Sequence, residues 1–510
     1  MIDIKSSLPT FSDASHSKIP SENERVTTTD SPLYSQNVKI LNQIGGNAGA
    51  FSWISQFFSN MATKAVNSYA FYDTNLTLER MKSLVTDSQR PSGYRKIVPM
   101  HFLGQTAFVI TDRKIGNHIL SLQRNCPDSG ESENKGLING GRLIHVFYKL
   151  MGPNILTTPP HRNHDFRQAF KPFLVDSPET KYAQALQKYA DQAIDHWIGQ
   201  GNPVNISEEI PKFATGAVAQ NILGYEGRID EVSDAINTLA HRIRSDFFHI
   251  PQWMSRINVT WAKRTLENAF LQVKDKKDYL IHGLTNNSTV KPSFSDEEIK
   301  STGEMMLFGG RDTTASLAIW ALSQLGRDPS IQKVLYKEWK EAEAKGISLT
   351  AHVASQETLL HAFLLECIRT NPPSFFQPRE ATKDCYINDP ESKESIFIPK
   401  NSMLLISNYF INRDKQNYPE PEKFNFYRFV SQKEANKPAA PPPNAFSVGP
   451  NMCLGQRFAR LEVKTLVLSL IIRCQWTCVD PNIQQVAKSV MWTKEDVKIK
   501  LTPRGDKQEI

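Results

Sequence analysis

The chain has 510 residues, 40% hydrophobic and 22% charged, the composition of a globular protein. Its net charge of +7 forms no long Lys/Arg block, which argues against nucleic acid as a partner. The best apolar run, Thr465–Ile472, falls far short of the roughly 18 residues a transmembrane helix needs, so no membrane-spanning anchor is expected.

Residues 1–20 lack the basic and apolar regions of a signal peptide. The six cysteines include no CxxC pair, so reduced thiols and a cytoplasmic location are expected. Residues 1–45 are polar and read as a loosely ordered arm. No Gly/Ser-rich linker or internal repeat divides the rest, and residues 46–510 are read as one domain. Phe51–Tyr72 carries aromatic residues at helical spacing; packing is the preferred reading, with peripheral membrane contact as the alternative. "HFLGQTAFVITD" (101–112) predicts strand, turn, strand.

From about 160 to 375 apolar residues recur every three to four positions, as in "KYAQALQKYADQAIDHWI", "TLENAFLQVKDKKDYLIHGL" and "DEEIKSTGEMMLFGGRDTTASLAIWALSQLG". Strand-like pieces such as "SMLLISNYF" (402–410) follow. The expected fold is mainly α with a minor β-sheet.

Three stretches carry candidate chemistry. In "LLECIRT", Glu366 and Arg369 are three apart on a helix with apolar neighbours nearly all round. That suggests a buried pair in need of a further partner, against the alternative of a surface salt bridge. Gly309 and Gly310 lie inside a long helix, where each costs about 1 kcal/mol relative to alanine. Either something approaches the backbone there or the helix kinks. Asp312 and Thr313 follow at once, and Thr313 can bond back to the carbonyl four residues earlier. In "FSVGPNMCLGQRFA", Cys453 stands between Gly449 and Gly455, just before a helix expected to begin near Leu454. A buried small hydrophobe and a thiolate metal ligand are both open readings there.

Taken together and in this order, these stretches resemble the cytochrome P-450 family of haem-thiolate monooxygenases, over roughly residues 95–500. "FSVGPNMCLG" is similar to its F-x-x-G-x-R-x-C-x-G loop, "ECIR" to its E-x-x-R and "GGRDTT" to its [AG]-G-x-[DE]-T-[TS]. "PEKFNFYRF" is similar to P-x-x-F-x-P-x-R-F, with Phe426 in place of proline.

The resemblance implies haem b (iron protoporphyrin IX) between a long distal helix and the helix that follows the Cys loop. It implies Cys453 as the axial iron ligand with Phe446 beside the sulfur, and Gly309 and Gly310 passing over the distal haem face. Asp312 and Thr313 are then the expected proton relay, and Arg428 the third charge of a triad with Glu366 and Arg369. Arg167 and Arg379 match propionate-binding positions. Two positions depart from the family: Asn451 replaces the loop arginine and Asn163 the Trp or His before Arg167, so weaker haem anchoring is expected, with His161 or His164 as substitutes. Phe247, Phe248, Phe308, Phe375 and Phe376 are the expected pocket residues for a lipophilic substrate. The implied function is O₂-dependent monooxygenation with electrons from a separate partner, a ferredoxin, flavodoxin or reductase; Arg457, Arg460 and Lys464 after the Cys loop are read either as its docking patch or as an ordinary solvated helix face. The alternatives are a peroxygenase or hydroperoxide isomerase, and a non-catalytic haem protein.

Overall fold

The computed structural model describes residues 81–102, 105–121, 137–139, 142–176, 178–247, 257–286, 293–389, 395–431, 439–488 and 490–505. All of them belong to the unit Lys64–Ile510. The expected arm, its boundary at residue 45, the Phe51–Tyr72 segment, Cys126 and Phe248 lie outside the described residues.

Helices dominate. Those that build the site are α1 (Pro160–Leu174), α2 (Pro178–Gln200), α3 (Ile206–Val218), α4 (Ile229–Phe247), α5 (Val259–Val273), α6 (Asp296–Arg327), α7 (Leu359–Thr370) and α8 (Gln456–Arg473). The main sheet joins β1 (Ile97–Phe102), β2 (Gln105–Ile110), β3 (Leu137–Asn139), β4 (Phe376–Ala381) and β5 (Met403–Ser407) in the order β1-β2-β5-β4-β3. Only the β2/β5 pair within it is parallel.

At the centre runs α6, buried around nearly its whole girth. Its N-terminus is fixed by a capping box in which Ser295 and Glu298 each accept from the other's backbone N–H, and Asp296, Glu297 and Glu298 complement the helix dipole. The helix carries its polar groups inward, as expected of one with no wet face. Ser316 Oγ and Trp320 Nε1 both donate to the Met491 carbonyl, at 2.6 and 3.1 Å, tying α6 to the hairpin Gln485–Thr493. No helix among the described residues is long and apolar enough to cross a membrane.

Two expectations change locally. The stretch 265–284 is not one helix: α5 ends at Val273, and Asp278 takes a positive φ of 70° before a new turn, Leu280–Thr285. "SMLLISNYF" leaves its strand at Ser407, whose hydroxyl accepts the Phe410 N–H and starts the short helix Asn408–Ile411.

Candidate functional site

A cavity of about 380 Å³ lies between α6 and the loop that carries Cys453, a volume usual for a small-molecule or cofactor site. From α6 it receives Met305, Met306, Gly309, Gly310, Thr313, Thr314 and Leu317, one stripe at three- and four-residue spacing. Thr313 Oγ1 donates to the Gly309 carbonyl at 2.7 Å. A Cβ on Gly310 would stand 2.5 Å from Val218 Cγ2, so this glycine admits α3 as well as opening the cavity. Gly309 is different: its Cβ would meet only Met305 Cε, at 3.7 Å.

Asp312 lies off the stripe, roughly 110° around the helix from its centre. It is buried and ion-paired with Arg311, whose Nε also donates to Ser233 Oγ at 3.1 Å. Of the two residues expected to form the proton relay, Thr313 lines the cavity and Asp312 does not. The same helical phase moves Phe308 away from the cavity, to an edge contact with Phe147 at 5.2 Å. Phe375 and Phe376 pack on each other at 5.0 Å, in a cluster with the β2 and β5 side chains. Pro373, Ser374 and Gln377 line the cavity in their place. Phe247 closes α4, and its side chain is not among those described.

On the opposite wall, Cys453 hangs in the loop between the short turn Gly449–Asn451 and α8. Its N–H donates to the Phe446 carbonyl at 2.8 Å. The thiol is open to the cavity yet surrounded by protein, and that burial pushes its pKa up. The Gly455 N–H, Arg167, Arg460 and the Gln456 N–H pull in the other direction, toward thiolate. Gly449 adopts φ 74°, and a Cβ there would stand 3.1 Å from the Leu120 carbonyl. Gly455 has an ordinary φ of −78°; its missing side chain instead leaves room at the sulfur, 4.0 Å from the ideal Cβ position. α8 starts at Gln456, two residues later than expected.

Arg167, from α1, lines the cavity and donates from Nη2 to the Met452 carbonyl at 2.7 Å. Asn163 also lines it and donates to the Ile155 carbonyl. His164 is exposed and 3.5 Å from Gln168, so of the positions near Arg167 it is Asn163 that faces the cavity. His161 is exposed as well. Asn451 contributes to the wall. Arg379 shares the buried face of β4 with Gln377. Its Nη1 donates to the Pro378 carbonyl at 2.8 Å, its Nε has no partner among the described residues, and burial alone lowers its pKa to about 10.

Beneath this wall, Glu366 receives Arg369 through two bonds, 2.7 and 2.8 Å, and Arg428 Nε at 3.2 Å. Asn425 N–H adds a bond at 2.8 Å. Arg369 is fully buried and donates onward to the Asn412 carbonyl, and Arg428 to the Pro419 and Lys423 carbonyls. A buried charge cluster is tolerable when its donors are satisfied in this way.

The expected docking patch after Cys453 is solvated only in part, since Lys464 is buried and Arg460 half-buried. Arg457 is held by Glu179 through bonds of 3.0 and 2.6 Å. Lys464 is buried on the Ser355 carbonyl, and Arg460 stacks over Phe446 at 4.8 Å. The apolar character of α8 draws both side chains inward, which a charge count along the sequence cannot reveal.

Residues 259–501 match the family model "Cytochrome P450". Similar curated proteins include "Probable cytochrome P450 4s3" of Drosophila melanogaster, 29% identical over 216 residues, 42% of this chain and 40% of that one. Another is "Cytochrome P450 4F5" of Rattus norvegicus, 33% identical over 184 residues, 35% of this chain and 33% of that one. "Sterol 26-hydroxylase, mitochondrial" of Mus musculus is 29% identical over 210 residues, 40% of this chain and 37% of that one. The matches thus span about two fifths or less of these relatives' length. Among solved structures, "Retinoic acid bound cyanobacterial CYP120A1" superposes with a TM-score of 0.65 at 20% identity, covering 83% of this chain and 96% of that one. The mainly helical fold with small sheets is that of a cytochrome P450, and residues 259–501 are similar in sequence to the cytochrome P450 family. The family implies haem and iron.

Proposed function

We propose that the chain is a haem-dependent monooxygenase that inserts one oxygen atom of O₂ into a lipophilic organic substrate. The carrying observation is the Cys453 thiol on one wall of a cavity whose opposite wall is the Gly309–Thr313 stripe of α6. The residues present fit haem b. A soft sulfur donor faces the space, the Gly455 and Gln456 N–H groups favour its thiolate, and Arg167 and Arg379 offer cations with no carboxylate partner among the described residues. In this reading Cys453 ligates the iron and Arg167 and Arg379 hold the propionates. Asn451, and Asn163 on α1, offer only neutral amides.

When bound, the haem supplies O₂ activation and oxygen transfer. The chain supplies the rest. Thr313 gives its hydrogen to the Gly309 carbonyl, leaving its lone pairs free to accept a hydrogen bond on the cavity side and so to position a proton donor there. Asp312 serves as the proton source behind it, once its pairing with Arg311 opens. Ile155, Leu156, Val218, Ile222 and Met305 exclude water and favour an apolar substrate. One relative, the mouse sterol 26-hydroxylase, is named for a substrate of that class. Electrons come from a separate ferredoxin, flavodoxin or reductase. A cytoplasmic location belongs to the same reading, resting on the free thiols among the described cysteines.

The test is spectroscopic. Reduced wild-type protein with carbon monoxide should show the shifted band of thiolate-ligated haem, and Cys453→His should lose it; a histidine variant that kept the band would overturn the ligand assignment. The position of Asp312 off the cavity stripe favours one second reading, a peroxygenase. Turnover with peroxide alone, and none with NAD(P)H and redox partners, would select it.

A further inference from the structure

A small recess against α8 gathers Arg457, Arg460 and Lys464 around a single lining carboxylate, Glu179. Arg460 and Lys464 project from α8 into it with His361. Glu179, also there, is bound by both nitrogens of the Arg457 fork. Glu462 is buried, neither of its oxygens has a partner, and burial pushes its pKa well up.

Arg460 is the sharper case. Its Nε has no partner, no side chain among the described residues forms an ion pair with it, and its guanidinium lies 4.8 Å from the Phe446 ring centroid. Phe446 in turn accepts the Cys453 N–H through its carbonyl. Arg460 is half-buried, and a partly desolvated cation without an ion-pair partner is stabilised by any anion held near it. Among the described residues, the group whose negative charge, as a thiolate, acts on Arg460 is Cys453. Arg167 also acts on the sulfur, but from within the cavity, where a propionate competes for it. Arg460 is not part of the cavity wall and cannot be diverted in that way.

We infer that Arg460 is a fixed cation, clamped on Phe446, that raises the electron affinity of the haem iron through the Cys453 thiolate. The inference rests on the haem-thiolate reading above. Reducing ferric to ferrous iron adds one electron, and a guanidinium near the ligand, in a medium of low dielectric constant, favours that added negative charge. Arg460 is therefore a positioning residue: it touches neither substrate nor the reacting atoms.

The experiment measures the ferric/ferrous midpoint potential of the haem-loaded protein by spectroelectrochemistry, with the electrode as electron source, alongside the carbon monoxide spectrum. Arg460→Leu should lower the potential while keeping the thiolate-type band, and Arg460→Lys should recover most of the shift. Should the leucine variant not fold, Arg460→Gln, neutral but polar, carries the same expectation. Arg457→Gln, which removes a cation already neutralised by Glu179, should leave the potential in place. An unchanged potential in the neutral Arg460 variants, or an equal shift from Arg457→Gln, would overturn the inference. A wild type without the thiolate-type band would instead remove the reading beneath it.

Discussion

The guanidinium of Arg167 bonds the carbonyl of Met452 at 2.7 Å, so helix α1 is fastened to the loop residue just before Cys453. The same side chain is one of two cations acting on the sulfur. Arg167→Ala should therefore loosen both the loop and the haem, since a hydrogen bond to a charged group contributes about 1.5–3 kcal/mol. The check is the rate of haem transfer to an acceptor protein, expected to rise at least tenfold. Asn451→Arg adds a cation to the same cavity wall and should slow the transfer; faster loss would mean that the asparagine is already part of a complete site.

Glu366 receives two arginines and a backbone N–H in a fully buried setting. Glu366→Gln leaves Arg369 charged and uncompensated, and should destabilise the fold by about 3–5 kcal/mol. Arg369→Lys should do nearly as much harm, because an ammonium cannot reproduce the two parallel bonds. Denaturant midpoints of the haem-loaded proteins test both, and a small effect of Arg369→Lys would show that charge alone suffices.

How far these features were legible differs by their origin. The α6 helix and the Cys loop are written locally, in periodicity and in glycine placement, and the sequence located them within two residues. The Glu366–Arg369 pair follows from helical spacing. Arg428, 62 positions from Glu366, came only through family resemblance, because periodicity cannot reach across a chain. Helical phase holds more than was expected of it: projecting around α6 from Thr313 finds Met305, Thr314 and Leu317, and sets aside Phe308. The burial of Lys464 and the stacking of Arg460 on Phe446 have no such local signal, since they depend on which elements cover α8.

Thr313 and its neighbour Asp312 separate two roles. Thr313→Ala should retain haem and substrate binding but divert reducing equivalents to peroxide, because the cavity loses the hydroxyl that positions a proton donor there. Thr313→Ser should restore much of the coupling. Product formed per NAD(P)H consumed, measured with a reconstituted redox partner, decides; equal coupling in wild type and alanine variant would remove Thr313 from the relay.

Gly310 and Gly309 should respond in opposite ways to alanine. In Gly310→Ala the new methyl meets Val218 Cγ2 at 2.5 Å, an overpacking expected to cost about 1–3 kcal/mol. Adding Val218→Ala should recover part of that loss, a coupling visible in a double-mutant cycle. Gly309→Ala meets nothing closer than 3.7 Å and should gain up to about 1 kcal/mol of helix propensity, while narrowing the cavity beside Thr313. Thermal unfolding of the four variants tests the contrast.

Glu304, also on α6, sets a pH dependence away from the cavity. It is buried against Leu266, Ala269 and Phe270 of α5. Burial raises its pKa to about 7, with Lys300 and Lys263 opposing and Glu267 assisting. An unfolded carboxyl of this kind titrates near 4.3. Between those values the folded state holds more protons than the unfolded one, so this group makes stability fall as pH rises and contributes no further slope above about 7. Glu304→Gln removes the titration and should flatten the stability profile across that window. Relative to the wild type, the variant should gain most near pH 8, by up to roughly 4 kcal/mol at 1.36 kcal/mol per pKa unit, and least near pH 4. Urea midpoints at pH 4, 6 and 8 give the answer: a variant whose slope matched that of the wild type would place the proton uptake on another group.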